Sequence, residues 1–144
     1  MKKFIYLLPL VLFLSACASL SGNMDYIPVG PQNLSARVAD PKAMPVYITR
    51  AEITRPWGAL GLMRIKNLPN DKEVIRREIE RLKKDSAKKG ADAIIVNQYF
   101  DEEGDPAYPV TLAAYLVKFL DNVTPEDETK IYEYGRMAAM ENAR

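Results

Sequence analysis

The chain has 144 residues, with 20 basic and 19 acidic side chains and a hydrophobic share of 48%. That is apolar material for one modest core, and the balanced charge supplies no basic field of the kind nucleic acid requires. There is no histidine and only one cysteine, Cys17, which excludes Ser-His-Asp and Cys-His catalysis and removes the commonest zinc ligands.

Met1-Lys2-Lys3 is followed by an apolar run from Phe4 to Leu14. A run of about ten residues falls far short of the roughly 20 that a spanning helix needs, so it reads as a signal peptide. Leu14-Ser15-Ala16-Cys17 matches the lipobox of bacterial lipoproteins, with small residues where a signal peptidase needs a narrow, extended substrate. The motif assigns residues 1–16 to a removed signal peptide and Cys17 to lipid attachment. A soluble secreted protein with an accidental cysteine is the competing reading. Ala18 stands where an Asp would resemble the inner-membrane retention signal, so the expected location is the outer membrane, with the domain facing the periplasm. Several acyl chains on one cysteine anchor firmly, whereas a single myristoyl chain binds only marginally. An acylated Cys17 leaves no thiol for a disulfide, a thiolate metal site or a nucleophile. Loss of Lys2 and Lys3 with the signal leaves 18 bases against 19 acids.

Residues 17–44 are polar and carry Gly22, Gly30 and prolines at 28, 31 and 41. They show no period of 2 or 3.6 residues and read as a lipidated, flexible tether. About 25 flexible residues span roughly 25–30 Å, and pulled straight they reach on the order of 85 Å, enough to hold a domain clear of lipid headgroups. Met24-Asp25-Tyr26-Ile27-Pro28-Val29 has the apolar content to dock on the domain instead.

The globular domain is expected over 45–120. Val46-Tyr47-Ile48-Thr49 reads as a strand from its β-branched and aromatic content. In Ile53 to Gly61, Pro56 and Gly58 predict a bend that presents Trp57. Leu62-Met63-Arg64-Ile65-Lys66 alternates apolar and charged residues, as a half-buried strand does. A helix follows, capped by Asn70 or Asp71, with Ile75, Ile79, Leu82 and Ser86 forming one narrow core-facing stripe. Its outer faces offer Glu73–Arg77, Glu80–Lys84 and Asp85–Lys89 as i,i+4 pairs, and Gly90 ends it. Ala93 to Val96 is continuously apolar, predicting a central strand covered on both sides. An acidic turn at 101–106 leads to Tyr108–Phe119, a strand that pairs back as a hairpin, with helix as its competitor over Leu112–Leu116. Residues 121–144 read as a C-terminal helical extension, with Thr124 as cap and Pro125 in the first helical position. Ile131, Tyr134, Gly135 and Ala138 form its candidate face, which is free to pack on the sheet, dock on another subunit or project.

Ser86-Ala87-Lys88-Lys89-Gly90-Ala91-Asp92-Ala93-Ile94-Ile95-Val96, a helix ending in a Gly-Ala-Asp-Ala turn that runs into an apolar strand, carries a family resemblance. Together with Val46–Thr49 and the aromatic-Gly-x-x-Gly stretch at Trp57, it resembles the YbjQ-like domains and the related domain of the Rcs envelope-stress sensor lipoprotein. The resemblance covers residues 45–119 and implies an α+β fold: a small β-α-β-β core, one helix packed on a mainly antiparallel sheet, followed here by the C-terminal helix. The Rcs sensor domain is held by disulfides, which this chain cannot form, and fold alone does not carry activity.

Two surface features are candidate sites. Trp57 either packs over the end of the core or contacts a partner, with Arg55 beside it as a fork for an acidic group. Asp101, Glu102, Glu103 and Asp105 form an acidic turn in which Asp101, Glu103 and Asp105 are weak cation-ligand candidates. Pro106 and Leu112 stand where an EF-hand loop needs glycine and glutamate, so a solvated turn is the expectation, with no metal and no cofactor. No spacing pairs a nucleophile with a base. The expected function is a non-catalytic interaction or envelope-sensing module, anchored in the membrane through Cys17 and bound to another envelope protein or to itself. A periplasmic small-ligand or divalent-cation binding protein is the alternative.

Overall fold

The computed structural model describes residues 23–32, 34, 39–100 and 109–141. The signal segment, Cys17 and the acidic turn with Asp101, Glu103 and Asp105 lie outside the described residues. The fold is α+β. Among the described residues, a five-stranded sheet has the order β1 (Met24–Pro28), β3 (Trp57–Leu68), β5 (Val110–Phe119), β4 (Ala93–Phe100), β2 (Val46–Tyr47), and two helices accompany it, α1 (Lys72–Lys88) and α2 (Pro125–Glu141). Of the four pairings among the described residues, β2 on β4 is parallel and the other three are antiparallel.

β5 takes the middle of the sheet because both of its faces can be buried. Leu112, Ala114 and Leu116 join the core beneath α1, while Val117 and Phe119 join a second cluster on the opposite face. That two-sided burial favours strand over the local helix propensity of Leu112–Leu116, since a strand places alternate residues on opposite faces. β4 is covered in the same way: Ile94 and Val96 lie in the first cluster, Ala93 and Ile95 in the second.

Residues 24–30, expected within a flexible tether over 17–44, are instead part of the fold. Met24–Pro28 forms an edge strand on β3, and Val29 and Gly30 both donate to the Leu60 carbonyl, at 3.1 and 3.0 Å. Met24 and Tyr26 pack on the core, Met44 is buried within it, and Gly61 on β3 leaves the space that the Tyr26 ring fills. A five-residue strand carries too few repeats to show its period; the alternative read from apolar content, that Met24–Val29 docks on the domain, is the one the structure takes. Six residues, Ala18 to Asn23, separate Cys17 from the sheet.

Two further expectations change. The bend at Pro56–Gly58 gives way to a continuous β3 from Trp57 to Leu68, irregular in register between Ala59 and Gly61 and again between Ile65 and Leu68. The glycines of β3 serve close contacts there instead of a turn. The strand expected at 46–49 stops at Tyr47, because Glu52 takes hydrogen bonds from the Ile48 N–H (3.2 Å) and the Thr49 hydroxyl (3.3 Å) and folds the chain into a short 3-10 turn, Arg50–Glu52.

α1 begins and ends as expected. Asp71 accepts from the N–H groups of Glu73 and Val74 at 2.9 and 3.0 Å. Gly90, at φ +87°, closes it, with its N–H bonded to the Ala87 carbonyl and that of Ala91 to the Ser86 carbonyl, a Schellman motif. Leu82 and Ser86 are fully buried, while Ile75 and Ile79 are partly so. The charged pairs of the helix differ from the expected spacing, and two of them include a buried member, Glu78 or Lys83. They form at i,i+3 as Glu73–Arg76, Glu78–Arg81, Glu80–Lys83 and Asp85–Lys88. Residues three apart are as near on a helix as residues four apart, and this pairing leaves Arg77, Lys84 and Lys89 outside the four pairs.

α2 starts at Thr124, whose hydroxyl accepts from the Asp127 N–H at 3.2 Å. Ile131 is buried against Gly58, where an added Cβ would lie 2.7 Å from its Cγ2. The first turns of α2 thus pack against the start of β3.

Candidate functional site

Arg55 and Trp57 sit where β3 begins, beside the end of β5. Trp57 is half-buried and packs against the second cluster, Ala93, Ile95, Val117 and Phe119, as Tyr47 and Ile53 also do; Phe119 is its register partner across the sheet. The Arg55 guanidinium lies 4.0 Å over the Phe119 ring and forks onto Asp121, with Nε–Oδ2 at 2.9 Å and Nη2–Oδ1 at 2.6 Å. Planar, bidentate pairing of this kind is the particular chemistry of arginine. The hydrogen bond to Asp121 raises the Arg55 pKa, and the same bond holds the Asp121 carboxyl below its ordinary value. The acidic group that the Arg55 fork suits is therefore supplied by this chain. The Pro56 carbonyl accepts from the Leu120 N–H at 3.0 Å and completes the corner. Trp57 keeps one partly exposed surface; Arg55 serves to order the corner.

A second constellation escapes sequence reading. Lys118 and Asp92 are both buried, and Lys118 Nζ donates to Asp92 Oδ1 and to the Gly90 carbonyl, each at 2.9 Å. Asp92 Oδ2 accepts the Phe119 N–H, also at 2.9 Å. Together they lock the Gly-Ala-Asp-Ala turn onto the end of β5. The available signal is a lone lysine between Val117 and Phe119 in an otherwise apolar strand.

A groove of about 320 Å³ runs between β1 and the C-terminal half of α1, lined by Met24, Tyr26, Met63, Asp85, Lys88 and Lys89. Lys89 Nζ stands 3.9 Å from the centroid of the Tyr26 ring, a cation–π contact that ties β1 to the helix. Among the described residues, no three His, Cys, Asp or Glu side chains gather at a point where a metal could be held, and no helix is long and apolar enough to cross a membrane.

No family model matches the chain, and no curated protein does either. Among solved structures, the chain is similar to the crystal structure of a Francisella virulence factor, FvfA, at 19% identity and a TM-score of 0.47. The match covers 65% of this chain and 95% of that one.

Proposed function

We propose that this chain is a lipid-anchored envelope protein whose domain acts as a non-catalytic interaction or envelope-sensing module. The lipobox Leu14-Ser15-Ala16-Cys17 is the observation that carries this reading. The placement of the fold supports it. With Met24 already in the sheet, acylation at Cys17 holds the domain within about 25 Å of the bilayer surface, the reach of seven extended residue steps. The resemblance of the Gly90-Ala91-Asp92-Ala93 region to YbjQ-like domains and to the Rcs sensor lipoprotein points the same way. So do the two sheet edges, where Ile27 and Val29 beside β1 and Val46 and Ile48 beside β2 are exposed. Edge strands with apolar side chains accept a strand from a partner or from a second copy.

The test has two parts. The intact mass of the N-terminal peptide from membranes reports whether Cys17 is acylated, with Cys17→Ser as the unacylated control. Photo-crosslinking residues at Trp57 and Val46 in living cells then report contacts. Acylated Cys17 with a discrete adduct to an envelope protein, or to a second copy, is expected. An unmodified cysteine, or silence at both positions, defeats the reading.

A further inference from the structure

α1 carries a second stripe, basic in character, of which Arg77 and Arg81 also pair with the buried Glu78. Arg77, Arg81, Lys84 and Lys88 recur at spacings of four, three and four, the same rhythm as the buried stripe of Ile75, Ile79, Leu82 and Ser86, two residues further on. Two residues on an α-helix amount to about 200°, so this stripe lies along the crest opposite the core. Arg77, Lys84 and Lys88 are exposed and Arg81 is 39% exposed. From Lys72 to Lys89 there are eight bases and four acids. One of those acids, Glu78, is only 2% exposed, held below the crest by Arg77 and Arg81. Glu73 and Glu80 flank the stripe, and Asp85 is tied to Lys88 at 2.7 Å. The near-neutral whole chain therefore contains one helix with a net charge of +3, or +4 with its cap Lys89, and its buried Lys83 and Glu78 offset each other.

The same helix lies at the root of the leash. Lys88 and Lys89 line one groove with Met24, the first residue of β1. From Cys17 to Met24 is at most about 25 Å, and a helix of 17 residues is itself about 25 Å long. The whole crest is thus within reach of the surface in which the acyl chains sit.

We propose that the crest Arg77–Arg81–Lys84–Lys88 is a docking face for anionic phospholipid headgroups, on which the anchored domain lies with α1 against the bilayer. The inference rests on acylation of Cys17, and it adds an orientation that acylation alone does not give. Charge complementarity and the short leash select a lipid surface over an acidic protein. The leash keeps headgroups within reach of the crest, and each base that comes near an anionic bilayer adds to the attraction within a Debye length. Docking α1 turns its covered sheet face toward the membrane and leaves the opposite face, with Trp57 and Tyr115, toward the compartment.

The test uses the full acylated chain reconstituted in vesicles of phosphatidylcholine alone or with about 30% phosphatidylglycerol, a composition that sets the surface potential. An environment-sensitive fluorophore is attached at Lys84→Cys, and in a control at Ile48→Cys beside the far edge strand; acylation of Cys17 makes each new thiol unique. On anionic vesicles, the probe at 84 should become severalfold less accessible to aqueous acrylamide while the probe at 48 stays open. Salt at about 0.5 M should release it. Adding Lys88→Glu exchanges an attraction for a repulsion and should lower the ratio of docked to undocked molecules roughly thirtyfold. Lys88→Gln should give an intermediate value, with thermal midpoints confirming that both variants fold. Equal accessibility at 84 on neutral and anionic vesicles overturns the proposal and leaves the anchor intact. Protection that survives salt and Lys88→Glu, or that requires an added acidic protein, also overturns it. A chain whose mass shows no acyl group on Cys17 overturns the anchor reading and this inference together.

Discussion

Lys118 and Asp92 form a buried ion pair at 2.9 Å in which every contact also fixes backbone: Lys118 holds the Gly90 carbonyl, and Asp92 holds the Phe119 N–H. The pair joins the exit of α1 to the end of β5, so helix and central strand share one fastening. Removing one member strands a charge in the core, which costs about 3–5 kcal/mol. Urea denaturation of Lys118→Ala should show a loss of that size. Lys118→Met combined with Asp92→Asn should lose less than the sum of the two single changes. Single variants within about 1 kcal/mol of the parent would reduce the pair to the standing of a surface salt bridge.

Gly61 and Tyr26 decide whether β1 belongs to the domain. A Cβ at Gly61 would overlap the Tyr26 ring, with the phenolic oxygen only 2.6 Å away. That oxygen is itself engaged, donating to Gln32 Oε1 at 2.8 Å. Gly61→Ala should therefore cost about 1–3 kcal/mol, as overpacking does, and should do so by loosening β1. Hydrogen exchange should rise at Tyr26 and Val29 before it rises in β5. In a Tyr26→Leu background, the same glycine change should cost clearly less. If exchange rises equally across the sheet, the clash is not local to β1.

These two contacts mark where sequence reading stops. Asp71, Gly90 and the stripe from Ile75 to Ser86 announce α1 because capping, left-handed geometry and helical period are local properties. Ala93–Val96 and Val110–Phe119 are legible as strands from their apolar content. β1 is not, because its place depends on a glycine 35 positions away on β3. The corner at Trp57 is half legible. The aromatic and the arginine stand out, but the partner of Arg55 is Asp121, 66 residues on, and no local pattern announces that pairing. The charges of α1 stand out in the sequence, but their pairing at i,i+3 in place of i,i+4 depends on side-chain geometry that spacing does not fix.

Asp121 gives the corner a pH signature. Its carboxyl is held below its ordinary value by the Arg55 hydrogen bond. For an acid with a depressed folded pKa, the stabilisation is present above the unfolded pKa and is lost as pH falls through the folded one. A carboxyl-carbon NMR titration should find the Asp121 midpoint below that of an ordinary exposed aspartate. Arg55→Lys, which loses the fork, should move that midpoint upward, and Arg55→Ala should move it further. Both side chains are nearly half exposed, so salt should weaken the shift. An Asp121 midpoint unmoved by Arg55→Ala would mean that the fork does not form in solution.

Gly90 and Gly58 should respond to alanine for opposite reasons. At Gly90 a new Cβ would meet nothing within 4 Å, but the backbone stands at φ +87°. Gly90→Ala should therefore cost about 1–2 kcal/mol through backbone strain alone, and Gly90→Asn should cost less, since asparagine tolerates the left-handed region better. At Gly58 no positive φ is involved; the obstacle is Ile131 Cγ2 at 2.7 Å. Gly58→Ala should push against the first turns of α2, and shortening the obstacle with Ile131→Ala should offset part of the loss. No change at α2 should rescue Gly90→Ala. Thermal melts of the four single changes and of the Gly58→Ala/Ile131→Ala pair make the comparison. A Gly58→Ala loss that Ile131→Ala leaves undiminished would show that α2 does not rest on β3.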